Sequence, residues 1–340
     1  MKKIIYLLFI SLIFAFIGCS HKGENEQIHR GMYWWGGNIS GYESNFTDHL
    51  EWLKQNKVEK IYYKLFDVDW NQLEGIYPAD GPFEGPNNSI LKVYHEFIPC
   101  VFITNQVFEH AKNAELNILA ERIADKIDTN YKEYQIDCDW SIKTKTSYFE
   151  FLQILKSKLP KHKLSVTIRL FQYKYPEKTG IPPADKGALM LYNFNSPKKY
   201  SEHNSIFNKE EAEKYITSKV YPLKLDFILP SFSWSVLYDN KEFLGLMQNT
   251  NREDIEQFCT KKTNNIFICN VDTVVENFYL RRGNEIKIED INAENIEDAH
   301  EFISKLVNSK EYTISVFSLT SNTTKLINNE VSKTIFASSK

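Results

Sequence analysis

Eight short runs rich in β-branched, aliphatic and aromatic residues recur along this chain, most of them separated by helix-like segments or loops. They fall at 32–35, 61–66, 98–103, 134–140, 164–170, 188–194, 225–229 and 312–319, and their alternation with helical segments predicts parallel strands joined by helical crossovers. Between the third and fourth runs, Leu116, Leu119, Ala120, Ile123, Ala124 and Ile127 recur at helical spacing and give one apolar face to lay on a sheet. Tyr148, Phe151, Leu152, Leu155 and Leu159 repeat the pattern before Pro160, and Ala299, Phe302, Ile303 and Leu306 repeat it before the last run. An open doubly wound sheet would carry a glycine-rich phosphate turn after its first strand, and none follows the first run here. The expected fold is therefore α/β, a (β/α)8 TIM barrel over 31–330, with an insertion at 251–290 before the last strand. Residues 71–89, rich in Gly, Pro and Asn, read as a long loop framing the mouth of that barrel.

The N-terminus carries a separate signal. Met1-Lys2-Lys3 is followed by an apolar run over 4–17 broken only by Ser11, a signal-peptide layout too short to span a bilayer comfortably. Phe16-Ile17-Gly18-Cys19 then resembles a bacterial lipobox, with Phe16 where a leucine-like residue is usual. Cleavage before Cys19 and its multiple acylation, palmitate among the acyl chains, would make a membrane-anchored lipoprotein of the cell envelope, on the periplasmic or surface face. The implied organisation is a signal peptide with the lipidated cysteine at 1–19, a flexible tether at 20–30 and the barrel at 31–330.

Composition narrows the function classes. With 41 Lys and Arg against 44 Asp and Glu and no basic stripe, nucleic acid is excluded as a partner. Cys100, Cys138, Cys259 and Cys269 form no CxxC pair, and no histidine spacing suggests a metal, so neither a metal centre nor another cofactor is expected. Cys100 and Cys138 read as small core residues, while Cys259 and Cys269 could pair in an oxidising compartment.

The fourth run is the most informative about chemistry. Tyr134, Ile136 and Cys138 alternate with Gln135, Asp137 and Asp139, so in a barrel the two carboxylates point inward, Asp137 deeper and Asp139 near the C-terminal mouth. The fifth run offers Ser165, Thr167 and Arg169 to the same interior, and Asp137 with Arg169 is expected to form a buried ion pair. Asp67 and Asp69 follow the second run. Trp34, Trp35, Trp70, Trp140, Tyr192 and Trp234 lie near strand ends, where aromatic faces can stack on sugar rings or simply pack.

Ile136-Asp137-Cys138-Asp139-Trp140 is similar to the fourth-strand signature of chitinase-type (family 18) glycoside hydrolases, in which spaced aspartates lead to a catalytic glutamate just after a Trp. Met190-Leu191-Tyr192-Asn193 resembles that family's sixth-strand motif of Met, any residue, Tyr and Asp. Ser141 stands where the glutamate would be, and Asn193 where the Asp would be; a hydroxyl is no general acid near neutral pH. With Ile181-Pro182-Pro183 and Phe232-Ser233-Trp234, the chain resembles envelope lipoproteins with degenerate glycosidase-like barrels. The resemblance implies a carbohydrate site at the mouth, with Asp137 and Asp139 as candidate catalytic groups and Arg169, Tyr192, Asn193, Trp234 and Trp140 as ligand contacts. Three classes stay open: a glycoside hydrolase using Asp139 with Asp67 or Asp69, a carbohydrate-binding protein, and a scaffold with a vestigial site.

Overall fold

In the computed structural model, which describes residues 26–35, 49–81, 96–216, 220–248, 250, 252–275 and 277–337, the apolar runs close into a barrel. Its first seven strands are β1 (Gln27–Trp34), β2 (Lys60–Asn71), β4 (Glu96–Ile103), β5 (Glu133–Asp137), β6 (Lys163–Arg169), β7 (Lys186–Met190) and β8 (Leu225–Pro230), with β3 (Gly75–Asp80) a side strand between the second and third. An inserted region then holds β9 (Trp234–Asp239), β10 (Glu242–Met247), β11 (Cys259–Lys261), β12 (Ile266–Cys269), β13 (Thr273–Val275), β14 (Phe278–Leu280) and β15 (Glu285–Glu289), before β16 (Glu311–Phe317) completes the barrel. Every barrel neighbour is parallel, and β16 pairs β1 while β1 pairs β2, so the sheet has no open barrel edge. The expected (β/α)8 fold is the fold observed.

The two long amphipathic helices pack as their spacing requires. Helix Asn113–Ala124 buries Leu116, Leu119, Ala120 and Ile123, and helix Lys145–Lys158 buries Tyr148, Phe151, Leu152 and Leu155 against the outward strand face. The inward face is polar in layers: Glu133, Lys186 and Asp226 at the N-terminal end, then Tyr33, Gln135 and Ser165, then Asp137 and Thr167 toward the mouth. Tyr33 donates to Gln135 Oε1 at 2.8 Å, and Gln135 Nε2 donates to Ser165 Oγ at 3.3 Å, so the middle layer is hydrogen-bonded rather than apolar.

Three boundaries differ from the sequence reading. β1 begins at Gln27, so the last four residues assigned to the tether are strand: Gln27, Ile28, His29 and Arg30 pair with Glu311–Ile314 in parallel register. Three of the four, Gln27, His29 and Arg30, are polar, and this hides the strand from a pattern search. The segment from Asn71 onward is not wholly loop, because Asn71 Oδ1 accepts the Leu73 and Glu74 amides and Gly75 takes φ +71°, turning the chain back as β3 against β2; residues 82–95 lie outside the described set. The insertion starts at Trp234 rather than 251. β9 and β10 form a hairpin around Asn240 and Lys241, both at positive φ, the backbone of a two-residue turn matched to strand twist.

The inserted sheet runs in the order β10-β9-β15-β12-β11, antiparallel throughout, and has its own core of Leu237, Met247, Ile255, Phe267, Ile286 and neighbours. Cys259 and Cys269 face each other directly across β11 and β12, buried, with Sγ atoms 3.2 Å apart. The hydrogen bond from Cys269 lowers the Cys259 thiol's pKa, which favours the attacking thiolate. Exposure to an oxidant that accepts two electrons and two protons is expected to join them; non-reducing peptide mapping should recover a 259–269 linked fragment about 2 Da lighter than the two thiols, and free thiols at both positions after oxidation would refute this.

Candidate functional site

A cleft of about 740 Å³ opens at the C-terminal ends of the barrel strands, off-centre toward β5 to β8. Asp139, Trp140 and Ser141 reach it from the turn after β5, Arg169 and Phe171 from the junction of β6 with helix Leu170–Lys174, Asn193 and Asn195 from the segment after β7, and Trp234 from the start of β9. The strand alternation explains this placement. Residues 137 and 139 point inward together, and the chain leaves the sheet after Asp137, so Asp139 emerges onto the mouth while Asp137 stays below it.

The charges pair differently from expectation. Arg169 Nη1 lies 3.3 Å from Asp139 Oδ2, and both side chains are close to half exposed in the cleft. Asp137 instead accepts from Thr167 Oγ1 at 2.6 Å. The buried Asp137–Arg169 pair is thus corrected to an open Asp139–Arg169 pair above an Asp137–Thr167 hydrogen bond. Burial, reinforced by the negative charge on Asp139, pushes the Asp137 carboxyl from 3.8 up to about 7 in spite of the Thr167 hydrogen bond. Asp137 does not line the cleft.

Ser141 is fixed as a turn residue. Its oxygen accepts from the Lys143 and Thr144 amides at 3.2 and 3.3 Å, and its amide donates to Thr144 Oγ1 at 2.9 Å. The Thr144 hydroxyl donates to Asn105 Oδ1 at 2.6 Å, and the Asn105 side-chain amide donates to Glu109 Oε1 at 2.9 Å. Glu109, on helix Asn105–His110 after β4, therefore stands on the cleft wall as a second carboxylate, exposed and tied to Asn105. It was not among the residues picked from the sequence; the available signal was its place just beyond the third barrel strand, on the face where loops frame the mouth.

The remaining sequence candidates divide. Asn193 lines the cleft at φ +57°, a left-handed conformation that asparagine tolerates, and its Oδ1 is buried with no hydrogen-bond partner among the described residues. Trp234 lines it with its indole nitrogen held by Glu289. Trp140 forms part of the wall but is buried, donating to Thr179 O at 3.0 Å and stacking on Tyr148 at 5.3 Å, so it is packing rather than a free platform. Tyr192 does not line the cleft. It is buried beneath, edge-on to Phe232 at 5.4 Å, and burial followed by the nearby Asp137 and Asp139 charges raises its pKa well above 10, keeping it a phenol. Neither Asp67 nor Asp69 reaches the cleft: Asp67 pairs with Lys64 at 2.8 Å, and Asp69 accepts from Thr104 at 2.5 Å. The sugar-stacking candidates Trp34 and Trp70 are likewise engaged elsewhere, Trp34 in the core and Trp70 on His110 at 3.9 Å; Trp35 packs on Phe317 at 5.6 Å. Cys19 lies outside the described residues. Among the described residues, no cluster of three His, Cys, Asp or Glu side chains is arranged to hold a metal, and no helix is long and apolar enough to cross a membrane.

No protein family's sequence model matches the chain, and no curated protein matches it in sequence. Solved structures do match in shape. The spore cortex-lytic enzyme SleL of Bacillus cereus aligns with 93% of this chain and 76% of its own length at a TM-score of 0.53 and 12% identity. The C-terminal domain of a provisionally assigned chitinase from Desulfitobacterium hafniense covers 92% and 98% at a TM-score of 0.57 and 11% identity. SleL of Bacillus megaterium QM B1551 covers 90% and 74% at 0.50 and 14%. At these identities the likeness shows the fold, a TIM barrel.

Proposed function

We propose that this chain is an envelope-anchored lipoprotein whose barrel mouth binds an oligosaccharide and does not cleave it at the position of Ser141. The observation that carries this reading is the open cleft in which the half-exposed Asp139–Arg169 pair, the unpartnered Asn193 Oδ1 and the Trp234 face meet. Hydroxyl-rich ligands are recognised by that mixture of charged and amide hydrogen-bonding groups beside an aromatic wall. Hydrolysis needs a proton donor beside the bond that breaks. Here residue 141 is a hydroxyl tied into a helix-leading turn, and Asp139 is engaged by Arg169. The barrel neighbours named for lytic and chitinase proteins support the carbohydrate class.

The test is a glycan panel offered to the chain, read for binding by calorimetry and for released reducing ends. Binding without release supports the reading, release overturns its non-cleaving half, and silence in both favours the scaffold. For the strongest ligand, Arg169→Met is expected to weaken affinity about tenfold, because it removes a charge-assisted donor and frees Asp139 to repel ligand oxygens.

Anchoring rests on the basic end, the apolar run and Gly18-Cys19. Cys19→Ala is expected to move the protein from the membrane to the soluble fraction with its melting profile unchanged, since a multiply acylated cysteine supplies the firm attachment. Retention of the variant in membranes, still labelled by fatty acid, would sink the anchor.

A further inference from the structure

The inserted sheet reaches the cleft through Trp234, and one buried carboxylate holds that side chain. Glu289, at the end of β15, is fully buried, and its cross-strand partner in β9 is Trp234. Its Oε1 accepts from the Ser205 amide at 2.9 Å and lies 2.6 Å from the equally buried Lys287 ammonium. Its Oε2 accepts from Ser205 Oγ and from the Trp234 indole nitrogen, both at 2.5 Å. Lys287 also reaches His203 O at 3.3 Å, and the Asn193 amide is held by Ile206 O at 2.7 Å. One carboxylate thus ties together β15, the Trp234 side chain and the 203–206 loop that anchors Asn193. Burying a charged pair in this way is costly, and such pairs specify an arrangement more than they add stability.

We infer that Glu289 is a positioning residue: it fixes the Trp234 indole as the stacking wall for the oligosaccharide proposed above, and through it the inserted sheet sets which ligands the cleft accepts. This inference rests on the glycan reading of the site. The geometry makes Glu289→Gln a selective probe. The amide oxygen can replace Oε1 toward Lys287 and the Ser205 amide, and the amide nitrogen can replace Oε2 because the Ser205 hydroxyl turns to accept from it. Among the hydrogen bonds only that of the Trp234 N–H is then lost, while the buried Lys287 also loses its counter-charge, a cost in stability read separately from the melting profile.

The full chain, solubilised in detergent and labelled with 15N-tryptophan, gives a readout that needs no ligand. The Trp234 indole N–H resonance, identified by its absence in Trp234→Phe, is expected in the wild type to be protected from solvent exchange. In Glu289→Gln it should shift and lose protection while the other indole signals stay in place. Affinity for the strongest ligand of the glycan panel should fall about tenfold in Glu289→Gln. It should fall no further when Glu289→Gln is added to Trp234→Ala, because both changes remove the same wall; a purely structural role would give additive losses. A wild-type Trp234 indole that exchanges freely would overturn the inference even if Glu289→Gln failed to fold. So would an unmoved resonance in the variant, or additive affinity losses. A resonance that moves while no glycan binds any variant would uphold the tether and remove the glycan reading on which the ligand part depends.

Discussion

Asp137→Asn is expected to stabilise the barrel above pH 7 and to leave it nearly unchanged near pH 4. The folded-state pKa of Asp137 is raised to about 7 by burial and by Asp139, whereas an unfolded aspartate titrates near 3.8. Between those values the folded protein holds a proton that the unfolded chain has released. The stabilisation linked to that proton is therefore fully present below the unfolded pKa and is lost as pH rises through about 7. A shift of this size corresponds to about 4 kcal/mol over the whole window, as an upper bound. Asparagine stays neutral at every pH, and its carbonyl oxygen still accepts from Thr167, so the variant escapes the loss. Urea midpoints at pH 4.5, 6, 7 and 8 should show the wild type weakening toward high pH and the variant holding level, the two curves separating most at pH 8. A variant less stable than the wild type at pH 8 would show that the ionised Asp137 is compensated in the fold and that burial does not penalise it.

That prediction reverses the one the sequence pattern suggests, and the reason is register. Period-two alternation places Asp137, Asp139, Thr167 and Arg169 on inward faces, but it does not say which residues stand side by side. The β5–β6 ladder pairs Gln135 with Ser165 and Ile136 with Val166. Continued in step, it sets Thr167 beside Asp137 and Arg169 beside Asp139. An ion pair assigned by face alone had an equal claim on either aspartate. The helices were legible because one apolar stripe, such as Leu116, Leu119, Ala120 and Ile123, suffices to place them. The barrel was legible because eight apolar runs leave few alternatives. The start of the inserted sheet was not: Asn240 and Lys241 make its first turn without a glycine, and Glu242, Phe243 and Leu244 show only weak alternation of burial. Glu109 and Glu289 escaped notice for different causes. Glu289 depends on contacts with Ser205 and Trp234, far away in the chain, which nothing in the sequence around it records, whereas Glu109 offered only its place after the third barrel strand, a position it shares with its neighbours.

The largest loss of stability is expected from Lys186→Met, at the opposite end of the barrel from the cleft. Lys186 Nζ lies 2.5 Å from Asp226 Oδ2 and 3.0 Å from Glu133 Oε2, all three side chains being largely or wholly buried. Despite a desolvation cost that works against its charge, the two carboxylates hold Lys186 protonated, with its pKa raised. Burial, offset in part by Lys186, raises the pKa of Glu133. Asp226 also accepts from the Thr313 amide at 2.7 Å, so the cluster joins β5, β7, β8 and β16 where the barrel closes. Methionine matches the length of the lysine stem but leaves two like charges facing each other out of water. Breaking a buried ion cluster from one side costs about 3–5 kcal/mol. The penalty should shrink as pH falls, because Glu133 can then take up a proton and relieve the repulsion. Urea midpoints at pH 5 and 8 would show this dependence, and glycan affinity measured on the folded protein should match the wild type, since no member of the cluster reaches the cleft. A loss under about 1 kcal/mol would mean that the carboxylates are satisfied without the lysine, while a changed affinity would mean that the two ends of the barrel are coupled through its polar interior layers.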